Sequence, residues 1–194
     1  MGDKMSGIHT RQFSHDDAER KKWQDPEAIL HRIGLGQGDT FIDVGCGEGF
    51  FALPAARIVG SSGKVYGADI DERSIERLAG EARRAGLTNL VLRAAPAEDM
   101  VFCDSCADYV FFGIDLHDFS DPGRVILNAK KMLSRTGKLI DLDWKKEPTP
   151  MGPPLGIRFS ETEARALIEA SGLRVVHSRD EGPYHYLITA VCGN

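Results

Sequence analysis

Asp43-Val44-Gly45-Cys46-Gly47-Glu48-Gly49-Phe50 combines an acid with alternating glycines. Glycine lets the backbone turn sharply and lets a ligand approach main-chain N–H groups. A helix N-terminus behind such a loop favours an anionic group, a carboxylate or a phosphate. Asp69 follows Gly47 at close to the roughly 20-residue interval at which an acid meets a ribose diol. Candidate bases lie further on: Asp115 and His117 in FFGIDLHD, and Asp141 and Asp143 in KLIDLDW. Tyr184, His185 and Tyr186 add polar aromatics near the end of the chain.

These groups need a scaffold, and the apolar runs supply one. Thr40–Val44, Lys64–Ala68, Leu90–Ala94, Asp108–Gly113, Lys138–Leu142, Leu173–Ser178 and Tyr184–Val191 read as strands. Asp25 caps a helix with Pro26 at its first position and Gly34 at its end. Asp71 caps another, whose apolar face is Ile75, Leu78, Ala82 and Ala85. Ser120 or Asp121 precedes Pro122 and the face Val125, Ala129, Met132 and Leu133. Ser160 and Glu163 have the spacing of a capping box. A helix starting near Gly49 would carry Pro54 just beyond its first turn, where proline bends a helix.

Strand–helix–strand repetition predicts an α/β, Rossmann-like, doubly wound sheet. The last two strands are too close for a crossover and should form a hairpin. The expectation is a seven-stranded, mostly parallel sheet with a reversed C-terminal strand. The glycine loop and the candidate bases then gather at the carboxyl ends of strands, where such sheets bind ligands. Residues 144–159, which include Pro148, Pro150, Pro153 and Pro154, form the longest loop, a length typical of lids.

Composition narrows the classes. A chain of 194 residues suits a single domain, 1–194, with 1–24 as an N-terminal cap segment. The hydrophobic fraction of 42% and charged fraction of 27% are those of a globular protein. The net charge of −5 gives no electrostatic support to nucleic-acid binding. No apolar run reaches the roughly 18 residues of a membrane span, and Met1 to Trp23 lacks the apolar core of a signal peptide. A cytoplasmic location is expected. There, Cys46, Cys103, Cys106 and Cys192 are expected as thiols. Cys103 and Cys106 have no second ligand pair with which to close a metal site, so no metal is expected.

Nucleotide classes compete for the loop. Gly47-x-Gly49-x-x-Ala52 fits a loose dinucleotide fingerprint, but that frame starts late and leaves Asp43 without a role. An NAD-type oxidoreductase is therefore the weaker reading. Gly60-Ser-Ser-Gly63-Lys64 precedes a strand, whereas a phosphate loop of kinase type must follow one.

The frame that uses Asp43, D-x-G-x-G-x-G, resembles the first motif of class I S-adenosylmethionine-dependent methyltransferases. VYGADIDERSIERL, Val65 to Leu78, resembles the second. The resemblance implies Asp69 on the ribose hydroxyls and Ile70 on the adenine. APAEDMVFCDSCADYV, Ala95 to Val110, resembles the next. Ala97 and Glu98 match there, and Pro96 stands where an adenine-contacting acid is common, with Glu98 as its substitute. LHDFSDP and MLSRTGKLIDLDW resemble the fourth-strand end and the fifth-strand region. The likeness runs from Asp25 to Asn194 and is greatest to the small-molecule group that includes the ubiquinone/menaquinone-biosynthesis enzymes. It implies S-adenosyl-L-methionine as cofactor, held by Asp43, Gly45, Cys46, Gly47, Phe50, Asp69, Ile70, Ala97, Glu98 and Gly113.

Methyl transfer from a sulfonium needs an aligned acceptor and exclusion of water, and a base only where the acceptor carries a proton. Asp115, His117 and Asp143 are the catalytic candidates. Their other readings are structural: Asp115 as a turn cap, His117 as a loop tie, and Asp143 as a partner of Lys145 or Lys146. Phe50, Trp144 and Tyr184 are candidates for cation–π contact with the sulfonium. Ile8 to Trp23 is a candidate helix over the cofactor. FFGIDLHD lacks the N/D-P-P-aromatic element that holds a flipped base, which again points to a small-molecule acceptor. With so little chain left for acceptor recognition, a homodimer could complete the pocket. A non-catalytic cofactor-binding scaffold is the alternative, since a fold outlives its chemistry.

Overall fold

The computed structural model describes residues 20–193 except residue 22. Most of the expected N-terminal helix, Ile8 to Trp23, lies outside the described residues. The first described helix, α1 (Pro26–Ile33), starts where its sequence says it should: the Asp25 carboxylate accepts the Ala28 N–H, and Gly34 at φ 94° ends it. The chain continues through β1 (Thr40–Val44), α2 (Ala52–Val59), β2 (Lys64–Asp69), α3 (Glu72–Arg84), β3 (Leu90–Ala94) and β4 (Ala107–Gly113). It closes with α4 (Pro122–Met132), β5 (Leu133–Trp144), α5 (Glu161–Ala170), β6 (Leu173–Glu181) and β7 (His185–Cys192).

The strands form one sheet in the order β3-β2-β1-β4-β5-β7-β6. β7 runs antiparallel to both β5 and β6, so it alone is reversed. Alternating strand residues feed two cores. Phe41, Phe111, Ile140 and Leu187 pack under α1, α2 and α3; Ile42, Val110, Leu139 and Ile188 pack under α4 and α5. The strand order reverses at β1, which lies between β2 and β4. A crevice opens at such a switch point, and the loops after β1 and β4 flank it.

Three local expectations are corrected. α2 begins at Ala52, not near Gly49, so Pro54 sits in its first turn. Leu53 N–H already donates to Gly49 O and Ala55 N–H to Phe51 O, so Pro54 leaves one gap in this ladder. β5 extends to Trp144, so Asp143 and Trp144 are strand residues and the proline-rich loop starts at Lys145. Cys103 and Cys106 form a disulfide rather than two thiols. The turn at Ser105 sets their Cα atoms 6.0 Å apart, within bonding range. Cys46 and Cys192 are free.

Candidate cofactor and acceptor site

The glycine loop is built around Asp69. Its Oδ2 accepts the Gly47 N–H at 2.8 Å and its Oδ1 accepts the Asp71 N–H at 2.9 Å. A carboxylate offers about four acceptor positions, so this acid can brace the loop and still receive two hydroxyls. Gly45 and Cys46 both donate to Ala68 O, pinning the loop's first half to the end of β2. Gly45, at φ 82°, lies so close to Asp115 that an added Cβ would stand 2.6 Å from its carboxyl carbon. Ile70, next to Asp69, is 74% exposed. A large apolar side chain left in water beside a ribose-type acid has the form of a platform for a flat base.

Asp43 lies on the other side of the loop, 2% exposed. The Ala52 N–H bonds to its carboxylate, while Oδ2 has no partner among the described residues. Burial raises the Asp43 pKa well above the usual range; Asp115 and Asp69 push the same way, against the pull of Arg20. Three carboxylates thus converge on one loop. A pyrophosphate would be repelled there, whereas a ligand carrying a sulfonium and an ammonium would be attracted and would fill the role Oδ2 lacks. The site fits S-adenosylmethionine and opposes a dinucleotide.

A consequence is measurable. A cationic ligand favours ionised Asp43, so binding should release a proton, and affinity should rise with pH until Asp43 is ionised in the free protein. Titration calorimetry at several pH values, in buffers of different ionisation enthalpy, reads both effects; affinity flat across the acid range with no proton released would contradict the electrostatic assignment.

Beyond β4, Ile114 adopts φ 75°, a conformation strained for a β-branched residue, and its N–H donates to Leu142 O at 2.7 Å. This twist swings Asp115 under the glycine loop and His117 toward β5. His117 Nδ1 lies 2.8 Å from Asp143 Oδ1, and both side chains are buried. Asp143 also accepts the Trp144 N–H at 2.7 Å. The lysine partners considered for Asp143 are engaged elsewhere: Lys145 with Asp180 and Lys146 with Glu163. Burial disfavours the imidazolium, but the Asp143 hydrogen bond and the charges of Asp143, Asp118 and Asp115 outweigh it, so the His117 pKa lies above its ordinary value. Asp141, one pleat below, is fully buried with both oxygens unpartnered among the described residues. Burial, with Asp143 and Asp115 nearby, raises its pKa and favours the neutral acid.

Other candidates are placed differently. The Arg20 guanidinium covers one face of the Phe50 ring, 3.9 Å from its centroid. Trp144 is likewise faced by Arg158 at 5.1 Å. Glu98 directs Oε1 to the Asp121 N–H at the start of α4, and its carbonyl accepts from Asn128. Through Oε1 that carboxylate ties itself to the start of α4. Ala97 opens the short turn beside it, and Gly113 ends β4 against the Phe51 ring. Cys46 is buried, which raises its thiol pKa and keeps it protonated. At the hairpin, Tyr184 precedes β7 and its ring lies against Trp144 and His185. Tyr186 is buried on the side of α4 and α5, and His185 stacks between Trp23 and Trp144. Burial, with Arg20, Arg158 and Lys145 nearby, lowers the His185 pKa to about 3 and keeps it neutral. Arg20 and Trp23 were legible only as part of the Ile8–Trp23 segment, and Ile114 and Arg158 had no sequence signal, because their roles come from packing.

Known proteins share this fold. A family profile described as "Methyltransferase domain" matches residues 35–166. A crystal structure of a SAM dependent methyltransferase from Aquifex aeolicus superposes with a TM-score of 0.85 at 31% identity, covering 90% of this chain and 93% of that one. A demethylmenaquinone methyltransferase of Geobacillus kaustophilus is 29% identical over 131 residues, 68% of this chain and 55% of its own. The Staphylococcus aureus protein of that name is 26% identical over 133 residues, 69% of this chain and 54% of its own. The chain spans about half the length of these two relatives. The fold is that of the class I S-adenosylmethionine-dependent methyltransferases. The chain belongs to the methyltransferase-domain family.

Proposed function

We propose that this chain, 1–194, works as a single domain that transfers a methyl group from S-adenosyl-L-methionine to a small-molecule acceptor. The carrying observation is the set of Asp43, Asp69 and Asp115 around a glycine loop, which matches a cationic cofactor. The bound cofactor supplies an electrophilic methyl group on a good leaving group. The protein's task is then to hold the acceptor in line and dry, and to take its proton where it has one.

His117 is the proposed base, with Asp143 as its positioning residue. Asp143 fixes the ring through Nδ1, which leaves Nε2, 3.5 Å from Asp118, as the nitrogen that accepts a proton. The names of the two bacterial relatives support a ring of quinone type, taken in its reduced form, whose hydroxyls are acidic. The negative charge argues against nucleic acid as acceptor, and the reading places the chain in the cytoplasm. Among the described residues no helix is long and apolar enough to cross a membrane. A homodimer would complete the acceptor pocket, and sedimentation velocity tests it.

The test is product formation with labelled cofactor and a panel of dihydroxy-aromatic acceptors, with mass spectrometry of the product. Activity should rise with pH through a raised His117 pKa, because only neutral imidazole accepts a proton. His117→Gln should lose that limb and lower kcat by about 10²-fold or more. Asp143→Asn should move the limb to lower pH, since the carboxylate is what raises it. An unchanged profile in both variants would remove His117 from the mechanism.

A further inference from the structure

S-adenosylmethionine carries a carboxylate besides its sulfonium and ammonium groups, and the acids around the glycine loop, Asp43, Asp69 and Asp115, would repel it. The backbone there has few donors left to offset this. The N–H groups of Gly45 and Cys46 are held by Ala68 O, that of Gly47 by Asp69 and that of Gly49 by Cys46 O. At the start of α2, Ala52 N–H bonds to Asp43 and Leu53 N–H to Gly49 O. An anionic group at this end of the crevice therefore calls for a side-chain cation.

Arg20 is placed to supply it. Its guanidinium lies 3.9 Å from the Phe50 ring centroid and 5.4 Å from that of Phe51, the residues that join the glycine loop to α2. Nε donates to Gln24 Oε1 at 2.7 Å, so a buried side chain holds the plane of the fork. The main chain is held as well. Trp23 N–H and Gln24 N–H both donate to Arg20 O, and Trp23 packs on Trp144 at the end of β5 and on His185 at the start of β7. The Arg20 charge acts on both Asp43 and His185, which sets the guanidinium between the glycine loop and β7. Other cations by the loop are placed differently: Arg77 pairs with Glu48, and Lys21 and Arg57 share a cavity with Asp25 and Glu27, whose charges balance theirs.

A guanidinium presents planar donors that match a carboxylate, and it stays charged at any working pH. We infer that Arg20 binds the carboxylate of the cofactor's amino-acid group, so that the turn before α1 forms part of the cofactor site. The inference rests on S-adenosyl-L-methionine as the cofactor and deepens that reading: the acids take the cationic groups, and Arg20 takes the one charge they would reject. It also gives the N-terminal side of the chain a part in selecting the ligand, beyond packing on Phe50.

Titration calorimetry of the full chain with S-adenosylmethionine and with its decarboxylated analogue tests it, in wild type, Arg20→Gln and Arg20→Lys. Without a cation at the site, the acids would favour the analogue. Wild type should instead bind the carboxylate-bearing cofactor about tenfold or more tightly than the analogue, since a hydrogen bond to a charged group is at stake. Arg20→Gln should erase or reverse that preference. Arg20→Lys, which keeps the charge but not the fork, should retain part of it. Each preference is a ratio within one protein, so any loss of folded fraction cancels. Equal weakening of both ligands in Arg20→Gln, or a wild type without the preference, would overturn the inference while cofactor binding stood. A wild type that binds neither ligand would overturn the cofactor reading and the inference with it.

Discussion

Replacing Asp69 with alanine should lower affinity for S-adenosylmethionine by about two to four orders of magnitude, because two hydrogen bonds to a charged group contribute about 1.5–3 kcal/mol each. Thermal unfolding should change little, since Asp69 is half-buried and its bonds are to a loop. Part of the loss comes from the free protein, whose Gly47 N–H and Asp71 N–H lose their acceptor. Asp69→Asn separates these contributions. Its side-chain oxygen can still receive the Gly47 N–H but carries no charge, so its affinity should fall between wild type and alanine. Calorimetry on the three proteins reads the order directly, and equal affinity in all of them would remove Asp69 from the ribose site.

Gly45→Ala should damage the loop strongly. Alanine in a left-handed conformation costs about 1–2 kcal/mol, and forcing a methyl into occupied space costs about 1–3 more. The added Cβ would lie 2.6 Å from the Asp115 carboxyl carbon, so Asp115 must move out from under the cofactor loop. Both Tm and cofactor affinity should fall. Gly47→Ala is the control: Gly47 has φ 51° but nothing within 4 Å of its added Cβ, so only the conformational cost remains. Equal losses in the two variants would mean that contact with Asp115 is not what Gly45 provides.

The contrast between these glycines shows what sequence can and cannot say. The D-x-G-x-G-x-G spacing located the loop and Asp69 because backbone conformation and strand order follow from local residue types. The hairpin was legible for the same reason: too few residues separate β6 and β7 for a crossover. Asp143 was harder. Its place in β5 and its bond to His117 depend on a strand two residues longer than its apolar run, held by β7 across Asp143 and Tyr186. Phe50 and Trp144 read as open aromatics, yet each faces an arginine from a distant segment. Glu98 also ties itself to the start of α4, a bond that only the folded chain brings about. Pro54 removes one helical N–H from the first turn, and the regular helix runs from Ala52. Local pattern fixed backbone shape, while the partners of charged and aromatic side chains awaited tertiary packing.

The central claim is that the acidic loop selects a cationic nucleoside. Isothermal titration of the purified chain with S-adenosylmethionine, its demethylated product and NAD tests this most directly. Binding of the first two at one site, with no heat from NAD, is the expected result. Binding of NAD with neither of the others would contradict it.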